Sequence, residues 1–208
     1  TCHSQQSLHW MSIMSSSDPN AGDQNAYTHD TSGASRDETA YGPNSKDLPD
    51  FLPTRRSGDG WTLGSDGQKH WGLNGAAGLM LLDPEQGILM QHRALWSVEG
   101  GTWGFPGGAR DLGESAIDAA VRESFEEAGV PDLEAEGIEI LETYVLDLGD
   151  WSYTTVIART LRHFEPVIND PESIELAWVP IDRLTDYSLH SGVAASLPAL
   201  LELLRPHL

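Results

Sequence analysis

The chain has 208 residues, enough for one domain of ordinary size and short for two, and carries 32 acids against 12 bases, a formal net charge of −20. The charge is uneven: residues 1–70 hold nine acids and five bases, whereas residues 71–208 hold 23 acids, seven arginines and no lysine. Such a surface repels nucleic-acid phosphates and anionic lipids, which argues against either as a partner, and an anionic substrate would need a metal ion to neutralise it.

Residues 1–50 contain only Leu8, Ile13 and Leu48 from the set Leu, Ile, Val and Phe, too few to offset the entropy of ordering the segment. Residues 51–70 continue glycine-rich, with a short strand expected at Gly60–Leu63. Residues 1–68 are therefore expected to form a disordered or vector-derived tail, and residues 69–206 one folded domain. The chain opens on Thr1, so it is either a fragment or starts at Met11 or Met14 with foreign residues ahead. The single cysteine, Cys2, permits no disulfide framework and no Cys-based zinc site. No run approaches the ~18 apolar residues of a membrane span. No basic n-region precedes Arg36, so a signal peptide is not expected. These features together suggest a cytoplasmic protein.

Within the domain, Ala76–Leu82 is an apolar run closed by the turn signal Asp83-Pro84-Glu85-Gln86-Gly87, and Ile88–Arg93 follows as its partner strand. Gly100–Gly108 is glycine-rich and holds Trp103, Phe105 and Pro106. Ser115–Ala128 has helical periodicity, with Ser115 as cap and Gly129 and Pro131 as stop signals. Ile138–Leu148 and Trp151–Thr160 read as a strand pair around Gly149-Asp150. Glu175–Val179 reads as a short strand and Gly192–Leu204 as a terminal helix. Mixed strands with a central and a terminal helix predict an α/β sandwich.

The chemistry concentrates in Gly108–Val130, GARDLGESAIDAAVRESFEEAGV. On a helical wheel Ile117, Ala120, Val121, Phe125 and Ala128 form a broad apolar face, and Glu123, Glu126 and Glu127 cluster opposite. Like charges at i, i+3 and i+4 destabilise a helix by ~0.2–0.5 kcal/mol per pair, and the last turn disfavours negative charge further. Hard divalent cations are bound by such oxygens. The residues alone leave two readings open, a metal site and a solvated acidic face.

The same stretch resembles the Nudix box: Gly108, five residues, Glu114, seven residues, Arg122-Glu123, two residues, Glu126-Glu127, one residue, Gly129-Val130. The lead-in Trp103–Gly108 resembles that of MutT-like members, and Ser124 departs from the apolar residue usual at its position. The resemblance implies a Nudix-type α/β/α sandwich with a mixed central sheet. It also implies Mg²⁺-dependent hydrolysis of a diphosphate linkage, with Mn²⁺ able to substitute. Glu123 and Glu127 would be the principal metal ligands, joined by Glu126 and the carbonyl of Gly107, with Arg122 and Glu114 paired to orient them. Glu123 is the first choice of general base, and Glu175 or Glu172, ahead of Trp178, is a supplementary ligand or base.

Arg93, His92 and Trp151 are candidates for substrate contact, as are Asp150 and His190 by position in the fold; His70 and Trp71 suggest a packing anchor. The substrate expected is a small-molecule diphosphate, most simply a nucleoside triphosphate, oxidised or not; nucleotide sugars and dinucleotides are the alternatives. Val145–Leu148, where relatives specific for ADP-ribose or diadenosine polyphosphates carry Pro or Tyr, holds neither. A non-hydrolysing ligand sensor usually has a degraded box, an isomerase of this fold needs a catalytic cysteine, and a decapping enzyme needs a basic RNA path. None of these fits residues 71–208 well.

Overall fold

The computed structural model describes residues 56–65, 67–131 and 137–208. The expectation of disorder over residues 1–55 therefore lies outside the described residues. The expected boundary at 68/69 is corrected, because β1 (Trp61–Leu63) pairs antiparallel with β2 (Lys69–Trp71) across it. The short strand expected at Gly60–Leu63 is β1, and the sequence did not show its partner; Trp61 and Trp71, directly opposite each other, supply the packing at 5.3 Å between ring centroids.

The main sheet holds β3 (Ala76–Asp83), β4 (Gly87–Arg93), β5 (Trp103–Gly104), β6 (Gly107–Ala109), β7 (Ile138–Asp147), β8 (Ser152–Thr160) and β9 (Ser173–Val179). β3 pairs with β8 in parallel; the other pairings are antiparallel. β3 and β4 are joined by the expected turn, in which the Asp83 carboxylate accepts the N–H groups of Glu85 and Gln86 at 2.8 and 3.1 Å. They touch only at Leu82↔Ile88 and Asp83↔Gly87. Beyond that point β6 takes the edge of β3, while β4 turns to β9 and β5, so the sheet forks.

Two helices cover the two faces. α1 (Ala116–Ala128) packs on the face carrying Leu79, Leu81, Leu89, Val156 and Ala158. α2 (Ser191–Leu204) supplies Leu197, Leu200 and Leu204 to the other face, against Met80, Leu82, Ile88, Met90 and Ile157. The period-two alternation of β3 thus serves two cores, which is why the run reads as continuously apolar. This is the expected α/β/α sandwich. Among the described residues no helix is long and apolar enough to cross a membrane.

The ends of α1 are as the residues predict. The Ser115 hydroxyl accepts the Asp118 N–H at 3.1 Å, and Gly129, at φ 66°, closes the helix with its N–H on the Phe125 carbonyl. The facing of α1 follows the wheel at Ile117, Ala120, Val121 and Ala128 and departs from it at Phe125 and Glu127. Phe125 is 56% exposed, whereas Glu127 is 3% exposed and Ser124 is fully buried. α1 lies against β3 and β6 along Ala120, Val121, Ser124 and Glu127, rotated toward its carboxylates. Ser124 is accommodated because its hydroxyl donates to the Ala120 carbonyl one turn back, at 2.6 Å.

Candidate active site

The fork of the sheet opens a cleft of about 460 Å³ lined from both branches, by Arg93 and Gly104 on one side and Gly107 and Gly108 on the other. That volume lies in the range of small-molecule sites. Trp61, Trp71, Trp96, Tyr144, Trp151 and Tyr153 make its walls largely aromatic.

The carboxylates of α1 are not part of this lining; Glu123 and Glu127 adjoin it through Gly108 and Gly107. Arg122 holds Glu114 with both arms, Nε at 2.7 Å and Nη2 at 2.8 Å, and donates to Glu123 at 2.5 Å, to Glu126 at 3.4 Å and to the Ala109 carbonyl at 3.0 Å. The Arg122 hydrogen bonds draw Glu114 below the usual carboxylate range. Glu123 lies flat against Gly108, where a Cβ would stand 2.6 Å from its carboxyl carbon; only glycine permits that approach. Glu127 is buried beneath β6 with the Gly107 N–H on its oxygen at 2.9 Å. Gly107 thus meets Glu127 through its N–H.

These acids oppose one another. Burial, against the pull of Arg122, raises Glu123 to about 7. Burial and the charges of Glu172, Asp170 and Glu123 push Glu127 well above the carboxylate range. Glu172 and Asp170 are raised by burial as well, and Asp170 adds to Glu172. The cluster therefore contains one more element than the box, the turn ahead of β9, where Asp170 accepts the Glu172 N–H at 3.0 Å and Glu172 lines the cleft. Among the described residues no three Asp, Glu, His or Cys side chains close around a single point as they stand. Glu123 and Glu126 are turned toward guanidinium groups instead, Glu126 toward both Arg122 and Arg56. The donor set nonetheless suits a hard cation: carboxylates gathered from α1 and the turn before β9, most of them buried, whose mutual repulsion a cation would relieve.

Several candidates fall elsewhere. Glu175 is exposed on β9, paired in register with His92, and of the two acids ahead of Trp178 it is Glu172 that lines the cleft. The irregular register between His92 and Arg93 sends the strand end carrying Glu172, not Glu175, to the cleft. His92 is stacked on Trp103 at 4.7 Å with Nε2 against the Gly101 carbonyl at 3.2 Å, which ties it to the glycine-rich loop, and it is not among the residues lining the cleft. Arg93 lines the cleft and donates through Nε to the Val98 carbonyl at 3.1 Å. Trp151 lines it too, fixed by its indole N–H on the Gly72 carbonyl at 3.1 Å and by stacking on His70 at 4.6 Å. His70 is the packing anchor its position suggested. Asp150 is absent from the lining, while His190 is part of it.

Sequence reasoning missed three features. Tyr153 projects over Gly78, where a Cβ would come within 2.2 Å of its hydroxyl; burial raises it to about 12. The β1–β2 ribbon adds Trp61, Lys69 and Trp71 to the wall. Residues 56–58 strap the loop before α1: the Ser57 hydroxyl and Gly58 N–H donate to Asp111 at 2.7 and 3.1 Å, and Arg56 pairs with Asp111 at 3.3 Å and with Glu126.

The chain matches the sequence model of the NUDIX domain over residues 72–200. It is 47% identical over 152 residues to a Mycobacterium tuberculosis protein described as a candidate 8-oxo-dGTP diphosphatase, covering 68% of each chain. It is 46% identical over 159 residues to a nucleoside triphosphate pyrophosphatase/Nudix hydrolase fusion protein of Bifidobacterium longum, covering 73% of this chain and 32% of that protein. The fold superposes on the crystal structure of the Nudix hydrolase RenU from M. smegmatis with a TM-score of 0.64 at 43% identity, over 72% of this chain and 96% of that one.

Proposed function

Since the chain belongs to the Nudix family of hydrolases, which act on the anhydride bonds of pyrophosphates, we propose that it hydrolyses a nucleoside triphosphate with the help of a divalent cation, Mg²⁺ or in its place Mn²⁺. One observation carries this reading: a cluster of buried, mutually repelling carboxylates lies against Gly107 and Gly108, on the wall of an aromatic cleft that Glu172 of the same cluster lines. The two curated relatives, named for nucleoside triphosphate or 8-oxo-dGTP hydrolysis, favour a triphosphate over a nucleotide sugar or dinucleotide, and extend the reading to oxidised purines.

Glu123, Glu127 and Glu172 would hold the ion, with Glu126 reached once Arg56 is displaced and the Gly107 carbonyl as a further donor. When bound, the ion neutralises the diphosphate and acidifies a water. Glu123 is the proposed base: Arg122 fixes its carboxylate, and Gly108 leaves room for it to face the cleft. Glu114 holds Arg122 in place, and Arg93 supplies a cation opposite the box for a phosphate oxygen. Trp151 and Tyr153 form part of the aromatic wall.

The test is a panel of nucleoside triphosphates, oxidised purine triphosphates, dinucleotides and nucleotide sugars, with phosphate and pyrophosphate release followed in Mg²⁺, Mn²⁺ and EDTA. Turnover of triphosphates in either metal and none in EDTA is expected. Nucleotide binding with no product from any substrate would instead make the protein a ligand sensor.

A further inference from the structure

The β1–β2 ribbon precedes the stretch that matches the family model, yet it forms part of the cleft wall. Residues directly opposite in an antiparallel pair project to the same side. Trp61, Trp71 and Lys69 thus share one face, and all three line the cleft. His70, on the other face, fastens the ribbon to Trp151. Thr62, also on that face, donates to the Gly72 carbonyl at 3.0 Å. The ribbon is anchored through His70, which borders the cleft as well, and adds two indoles and an ammonium group from its other side.

Lys69 is unusual in its setting. It is the only lysine in residues 47–208. Arg56, Arg122, Arg159, Arg183 and Arg205 are each held by a carboxylate, whereas Lys69, like Arg93 and Arg110, makes no ion pair among the described residues. An exposed cation with no ionic partner among the described residues, beside two indole rings in a cleft, fits recognition of a ligand. An ammonium group offers three donors and no acceptor. Next to a stacked ring it can pair only with acceptors on the base edge: O6 and N7 in guanine, O6 alone in 8-oxoguanine, whose N7 carries a proton; adenine puts a 6-amino donor where these bases have O6.

We propose that the β1–β2 ribbon is the base-recognition wall of this enzyme, and that Lys69 selects 6-oxopurines over 6-aminopurines stacked against Trp61 and Trp71. The inference rests on the nucleotide reading of the cleft, but not on turnover.

The test is calorimetric binding of dGMP, 8-oxo-dGMP and dAMP to the full chain. Their phosphates are identical and none is cleaved at an anhydride. The wild type is expected to bind dGMP and 8-oxo-dGMP at least about tenfold more tightly than dAMP, the discrimination typical of one good basic contact to a base edge. Lys69→Ala should bring the three within about threefold by weakening only the oxopurines, and Lys69→Arg should keep the preference. Trp71→Ala should weaken all three. Lys69 is exposed, so its variants do not threaten the fold. Equal weakening of dGMP and dAMP in Lys69→Ala would mean that Lys69 reads phosphate and would overturn the proposal. So would a wild type that binds neither monophosphate below millimolar, or both alike. Base preference without triphosphate turnover would sink the proposed activity and leave this inference standing.

Discussion

The two helices do the same architectural work on opposite faces of one sheet, and they do it with opposite materials. α2 buries Leu197, Leu200 and Leu204, and its one acid, Glu202, is exposed and paired with Arg205. α1 buries alanines, Ser124 and Glu127, with Glu123 turned to Arg122 beside it. By the logic of stability the buried face of α2 is well made, despite Pro198 in its interior, and that of α1 is not, despite its good caps. The difference marks which face of the sheet is held for chemistry, since a buried carboxylate short of partners costs free energy that packing elsewhere must offset.

Substitutions on α1 should therefore separate activity from stability, and those on α2 should not. The largest effect is expected for Glu123→Gln and Glu127→Gln. Each should lower kcat by at least about a hundredfold, the scale of losing a general base or a ligand, while the melting temperature in EDTA stays equal to or above wild type because repulsion is relieved. Near wild-type turnover at low millimolar Mg²⁺ in either variant would break the assignment and move attention to Glu172. Leu200→Ala is the counterpart on α2: loss of ~2–5 kcal/mol in denaturant unfolding, as for other buried leucines, with Mg²⁺ dependence unchanged.

The pH dependence sharpens the contrast. Glu123 titrates near 7 in the folded protein against an ordinary 4.5, so the metal-free fold binds more protons than the unfolded chain over that window. Its contribution is complete below 4.5 and lost as pH rises through about 7. Melting temperature in EDTA should fall from pH 5 to pH 8, and the fall should flatten in Glu123→Gln and on adding Mg²⁺. An equal slope in that variant would locate the titration elsewhere. The smallest effect is expected at Ser124→Ala, within ~1 kcal/mol, because the lost hydroxyl serves only a carbonyl of its own helix.

The periodic elements were legible in the sequence because their burial follows their pattern: β3, β4, β8 and both helices lie within a residue or two of where the residues put them. What was not legible depends on partners distant in sequence. A wheel shows that Glu123, Glu126 and Glu127 cluster, but not that the helix rolls toward them and leaves Phe125 outside. That depends on β6 placing the bare backbone of Gly107 and Gly108 beneath the acids. Glu172 could not be separated from Glu175 without the irregular register at His92/Arg93. The partner of the strand at Gly60–Leu63 did not show in the sequence, and the ribbon's tryptophans matter only once His70 meets Trp151.

The parallel pairing of β3 with β8 has a consequence for how the enzyme comes into being. Ala76 pairs with Tyr153 and Leu82 with Arg159, so the central ladder joins strands 77 residues apart in the chain, about half the domain. Contacts so remote in sequence form slowly, since the loop entropy is lost before the pairing repays it. The hairpin of β3 and β4 and the turns of α1 are local and can form early. Trp151 and Tyr153, which complete the cleft, arrive only with β8. A chain emerging from the ribosome would carry its full set of box carboxylates well before it had anywhere to put a nucleotide. Metal-dependent activity in refolding should accordingly appear with the slowest structural phase, after helix signal has already recovered.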